Sequence, residues 1–183
     1  MIAVISDSHI PHRAESIPEE FLEKVKESDL TVHCGDFETI EVYDMLEKAA
    51  EKFIAVKGNC DRFKLPNSET FEKRNMAFGV YHGTGIVPRG DHDTLCKIAE
   101  EDLEVDVILH GHTHKQEAEN IEGSILVNPG SCTGVGGGSS RQGKPKMATI
   151  EPGDSALNVT LIEKTDDGLD RQHIPFDIKE AKE

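Results

Sequence analysis

Apolar residues along the first third of the chain come in short, compact runs separated by amphipathic stretches. Residues 2–6, Ile-Ala-Val-Ile-Ser, close on a polar residue and predict a buried strand. Pro18 then opens a segment in which Phe21, Leu22 and Val25 recur at helical spacing. Residues 30–33 predict a second strand, stopped by Gly35, and Ile40, Val42, Tyr43, Met45 and Leu46 mark a second helix. Residues 53–56 predict a third strand, which again runs out at a glycine, Gly58. Strand–helix–strand–helix–strand is the order of a parallel sheet with crossover helices.

The second half changes character. Residues 69–74 and 76–81 read as neighbouring strands turning near Asn75, followed by a helix over 93–101 capped by Asp91 or Asp93. A strand over 105–109, a hairpin from 115–120 and 121–127, and strands over 147–150 and 157–162 complete an α/β core richer in antiparallel pairs. Residues 1–183 are expected to form one domain, with 171–183 a peripheral tail of one strand and a frayed end. The one low-complexity stretch, residues 134–140, predicts a mobile loop, or a substrate-side lid presenting Arg141. No Gly-Lys-Ser/Thr follows it, so it is not a phosphate-binding P-loop.

Composition narrows the setting. No apolar run approaches the roughly 20 residues that span a bilayer, and residues 1–5 lead straight into Asp7 and His9 without a basic leader. Cys34, Cys60, Cys96 and Cys132 are far apart and form no C-x-x-C pair. Reduced thiols and a cytoplasmic location are expected. A net charge of -15 without a basic cluster disfavours extended nucleic acid and anionic membranes.

The chemistry lies where the strands end. The first strand delivers Asp7 and His9, the second Asp36, the third Asn59, the 76–81 strand His82, and the 105–109 strand His112 and His114. Carboxyl ends of parallel strands converge on one crevice, so residues a hundred positions apart can meet. Each motif alone is weak: Asp-x-His, Gly-Asp and Gly-Asn are common turn sequences, and a lone histidine is usually structural. In Gly-His-x-His, alternate residues on extended backbone would project to one side. Carboxylate, amide and imidazole donors together suit a borderline divalent cation better than calcium. Seven ligands exceed the needs of one ion but suit a pair about 3.5–4 Å apart bridged by a carboxylate.

Asp7-x-His9, Gly35-Asp36, Gly58-Asn59-x-Asp61, His82-Gly83 and Gly111-His112-x-His114, in that order, resemble the calcineurin-like metallophosphoesterases. Gly58-Asn59-Cys60-Asp61 and the Asn-Pro-Gly-Ser turn at 128–131 are similar to the small archaeal and bacterial phosphodiesterase subfamily. The resemblance implies a four-layer α/β/β/α sandwich with two central mixed sheets. It implies one metal held by Asp7, His9, Asp36 and His114, and another by Asp36, Asn59, His82 and His112, with Asp36 as the bridge. It also implies homo-oligomers for chains of this size. The larger enzymes of the superfamily carry a proton-donating histidine where this chain has Cys60.

The expected function is a divalent-metal-dependent phosphodiesterase acting through a metal-bridged hydroxide. Asp36, Asn59 and His82 would be catalytic, and Asn59, His82 and Arg141 would touch the small phosphoester substrate. Manganese is the first choice of ion, with nickel, iron, zinc or cobalt as alternatives. A phosphomonoesterase would use the same dinuclear site, and a non-catalytic scaffold of the same fold, like a eukaryotic retromer subunit, would work by protein contacts. A nuclease acting on long DNA is disfavoured by the charge. His12, His33 and His110 are expected to be structural or orienting, Asp61 to orient a neighbouring ligand, and His92 and His173 to be exposed.

Overall fold

The computed structural model describes residues 1–138 and 142–177, and the predicted runs take their places in two mixed sheets. The first is built on β1 (Ile2–Ile5), β2 (Leu30–His33) and β3 (Phe53–Ala55), all parallel, with α1 (Glu19–Glu27) and α2 (Ile40–Ala49) as crossovers. The second holds β4 (Ser68–Lys73), β5 (Met76–Tyr81), β6 (Val107–His110), β7 (Glu117–Ile121) and β8 (Ser124–Asn128), in the order β4-β5-β6-β8-β7. The chain then returns to the first sheet with β9 (Lys146–Pro152), β10 (Ala156–Thr165) and β11 (Gly168–Asp177), giving the order β11-β10-β9-β1-β2-β3.

Both faces of β1 are covered, which is why its sequence is uniformly apolar rather than alternating. Ile2 and Val4 face the second sheet and pack in one core with Phe78, Val80, Leu109 and Val127. Ala3 and Ile5 face the other way, onto Phe21 and Val25 of α1 and Leu46 of α2. On the far side, Ile108 and Leu126 pack on Leu95 and Ala99 of the third helical segment. The layers are therefore helix, sheet, sheet, helix, as the resemblance implied.

Differences from the sequence expectations lie at element ends. The third helix, α3 (His92–Lys97), is capped by Asp91, whose carboxylate accepts from Thr94 N at 3.0 Å, and runs into a π-helical turn at Ile98–Asp102. Val105 N donates to Ala99 O to close that turn, so β6 starts at Val107 rather than 105. The hairpin turn falls at Glu122-Gly123, both at positive φ, instead of between 120 and 121. The strand expected after Asp170 begins earlier and pairs without a break along β10, from Thr165↔Gly168 to Ala156↔Asp177.

This topology positions the site. β1, β2 and β3 run parallel in one sheet, and β5, β6 and β8 run parallel in the other. The loops leaving the carboxyl ends of these two sets meet between the sheets.

Candidate metal centre

Sharp turns follow the strands. Asp7, His9, Asp36, His112 and His114 all have positive φ, between 49° and 67°, a region costly for residues other than glycine. The two histidines of Gly-His-x-His are therefore not on extended backbone, as the spacing suggested. A left-handed residue at each position aims both rings into the site. The backbone is locked from several directions: Asp7 N donates to Gly35 O at 3.0 Å, His9 N to Asp36 O at 3.1 Å, and Ser131 Oγ to Asp7 O at 2.8 Å.

Two clusters result. In the first, the His114 Nε2 is 3.3 Å from Asp7 Oδ1 and 3.3 Å from His9 Nε2, while His9 Nε2 is 3.5 Å from Asp36 Oδ2. In the second, His82 Nε2 lies 3.4 Å from the same Asp36 oxygen, and donor atoms of Asp36, His82 and His112 fall within 4.8 Å of one another. Asp36 belongs to the second cluster, and the same Oδ2 stands 3.5 Å from His9 of the first. Six of the seven expected ligands are thus brought together. The seventh, Asn59, sits beside them, exposed, with Nδ2 on Cys60 Sγ at 3.3 Å. Arg141 lies outside the described residues.

The imidazoles are held from behind. His82 Nδ1–H donates to Cys34 O at 2.7 Å, His114 Nδ1–H to Val135 O at 2.6 Å, and His9 Nδ1–H to the Glu38 carboxylate at 3.0 Å. Fixing the proton on Nδ1 leaves the Nε2 lone pair facing inward, the arrangement in which histidine binds a cation. His82 Nε2 is buried and has no hydrogen-bond partner among the described residues. Such an atom is costly unless something fills the site.

Charge gives the same indication. Asp7 and Asp36 are almost fully buried, and among the described residues their only ion-pair partners are imidazoles. Burial opposes ionisation of Asp36, but His82, the Cys60 amide and His9 outweigh it and lower its pKa. Burial, with help from His82 and Arg89, holds His112 down at about 4, and burial also lowers His114. Both rings are therefore neutral at neutral pH: His114 presents its Nε2 lone pair to the site, while the Nδ1 of His112 accepts from Arg89 at 3.2 Å. His82 differs: burial lowers its pKa, but Asp36 and Asp7 prevail and raise it. Two buried carboxylates with converging neutral donors suit divalent cations, which would repay the desolvation.

The surrounding residues were only partly legible. Asp61, expected to orient a ligand, accepts from the backbone amides of Asp36, Phe37, Glu38 and Gly58 at 2.7–3.0 Å, and so folds the turn that carries Asp36. Glu38 bonds both His9 and His12 and joins His9 and Cys60 in a third group of donors; no motif in the sequence pointed to it. Arg89 reaches His112 at Nδ1 and O, and its isolated position after a proline gave no signal. His33 and His110 are buried, and His12 and His173 are exposed. His92, expected at the surface, is half-buried against Glu117. Part of the glycine-rich stretch is not a free lid: Val135 is buried and its carbonyl holds His114.

A family model for the calcineurin-like phosphoesterase superfamily domain matches residues 1–154. A probable metallophosphoesterase from Methanocaldococcus jannaschii is 40% identical over 133 residues, covering 73% of this chain and 68% of that protein. Another from Methanothermobacter thermautotrophicus is 38% identical over 136 residues, covering 73% and 77%. Among solved structures, a single mutant of Vps29 from Entamoeba histolytica superposes with a TM-score of 0.87 at 30% identity, covering 96% of this chain and 99% of that one. Wild-type Vps29 from the same organism, complexed with Zn2+, matches at a TM-score of 0.86. The chain belongs to the calcineurin-like phosphoesterase superfamily.

Proposed function

We propose that the chain is a divalent-metal-dependent phosphodiesterase of the small subfamily with Gly-Asn-Cys-Asp as its third motif. Asp7, His9, Asp36 and His114 would hold one ion, and Asp36, Asn59, His82 and His112 the other, with manganese the first choice. The observation that carries this reading is the His82 ring: buried, anchored by Nδ1, with Nε2 3.4 Å from Asp36 Oδ2 and no hydrogen-bond partner among the described residues. Bound divalent ions would supply Lewis-acid activation of water and neutralisation of phosphoryl charge.

The chain's own groups do the rest. Cys34 O, Val135 O and Glu38 hold three imidazoles in one tautomer and orientation, so the donors need no reorganisation during reaction. Asn59 and His82 flank the side where a phosphoryl oxygen would enter. Water adds to phosphorus as the P–O bond to the alcohol breaks, and the alcohol leaves with a proton. Four unpaired cysteines and a strongly acidic surface support a cytoplasmic, small-molecule setting.

The similarity to Vps29 over nearly the whole chain supports a second reading, a scaffold without catalysis. A full set of converging donors weighs against it. The deciding experiment dialyses the chain against chelator, titrates manganese by calorimetry, and assays bis(p-nitrophenyl) phosphate beside p-nitrophenyl phosphate. Two bound equivalents with faster diester cleavage are expected. Faster monoester cleavage would make it a phosphomonoesterase, and no manganese uptake near neutral pH would leave the scaffold.

A further inference from the structure

A cavity of about 450 Å³ opens beside the candidate metal centre, lined by Gly58 and Asn59 of the turn that packs against Asp36. It lies at the side where β3 and β5 end. Lys57 to Asn59 form one wall, Asn67 a second, and Tyr81 and Thr84, which flank His82-Gly83, a third. The walls are tied in place: Lys57 N donates to Pro66 O at 2.7 Å, and the Tyr81 hydroxyl donates to Thr84 O at 2.5 Å. Its size falls in the range of small-molecule sites, and its position is that of a pocket for a group attached to the reacting phosphorus.

The lining defines the guest. Asn59, Asn67 and Thr84 offer amides and a hydroxyl, and the one large ring is that of Tyr81. Asp61 also borders the cavity, but its oxygens are engaged with four backbone amides. Lys57, an exposed residue of this lining, has no side-chain partner among the described residues, so its ammonium is available to a guest on a chain of net charge -15. A lipid tail or an alkyl chain would strip water from these groups and return nothing.

We infer that this cavity is the subsite for the leaving alcohol, and that it selects a hydrogen-bonding sugar or nucleoside bearing a second anionic group, which Lys57 meets. The inference rests on the phosphodiesterase reading and names its substrate class. Asn67 and Thr84 orient the alcohol, and Lys57 sets the preference for the extra charge.

The test uses the manganese-loaded chain with a diribonucleotide, with and without a terminal phosphate, and bis(p-nitrophenyl) phosphate as reference. The phosphate-bearing dinucleotide should be cleaved with a kcat/KM about 10-fold higher, the value of one charge-assisted contact, mainly through KM. Lys57→Met should collapse that ratio to near one, and Asn67→Ala should lower both dinucleotides relative to the reference diester. Equal cleavage of the two dinucleotides, a preference that survives Lys57→Met, or cleavage of the reference alone would overturn the assignment. If even the reference is not cleaved, the phosphodiesterase reading has failed. The cavity is then judged by nuclear magnetic resonance on the metal-free chain with an adenosine bisphosphate. Amide shifts at Lys57, Asn67 and Thr84 would sustain it as a binding site, and their absence would end it.

Discussion

Cys60 is half-buried beside the Asp36 carboxylate, and its thiol is pushed up to about 12 by burial and then by Asp36, Glu38 and Asp61. A group so reluctant to release its proton is a poor general acid at neutral pH. Cleavage should therefore depend steeply on the pKa of the leaving alcohol across a series of aryl diesters. Cys60→His should speed alkyl diesters more than nitrophenyl ones, and equal acceleration of both would show that proton donation is not what the position lacks. His33 illustrates the opposite use of a buried group. Gly35 N donates to its Nδ1 at 3.1 Å, so Nε2 carries the proton and donates to Ser8 Oγ at 2.9 Å. Burial, then His82, keeps its pKa well below 6.5. As pH falls below about 6.5 the unfolded chain takes up a proton that the folded chain refuses, so stability falls with pH. In urea melts of metal-free protein at neutral pH and one to two units lower, His33→Gln should flatten this slope by up to about 1.4 kcal/mol per unit. Parallel slopes would mean that His33 is not the group responsible.

At the scale of elements, the chain repeats one device: an apolar strand, then a sharp turn that throws a ligand into the crevice. The turn after β3 fits closely under the turn after β2. A Cβ on Gly58 would lie 2.1 Å from Asp36 Oδ1 and 2.3 Å from Asp36 N, contacts that no side chain tolerates. Gly58→Ala should displace Asp36 and weaken manganese binding by about 10–100-fold, as loss of an orienting partner does. Calorimetry would check this, and native-like affinity in the variant would show that the turn can yield without moving the carboxylate. These turns are also where the sequence pattern misjudged geometry. Periodicity reads helices and strands, whereas the left-handed backbone at His112 and His114 is imposed by what packs around it.

For the molecule as a whole, the net charge of -15 acts at long range, whereas ions bound at the candidate metal centre would act locally. Long nucleic acid needs an extended basic track, so fluorescence anisotropy with long DNA should stay flat even at low salt. Salt-sensitive binding would instead return a nuclease to consideration.

The order of strands and helices, the buried central strands and the strand-end positions of the candidate ligands could all be read from the chain. Each follows from local periodicity and from residue type, which a linear pattern carries. Tertiary structure decided that one Asp36 oxygen faces both His9 and His82, that Glu38 and the Val135 carbonyl orient His9 and His114, and that the Lys57 cavity opens beside Asn59. Those facts depend on distances between segments far apart in sequence, set by the packing of two sheets and encoded in no single motif.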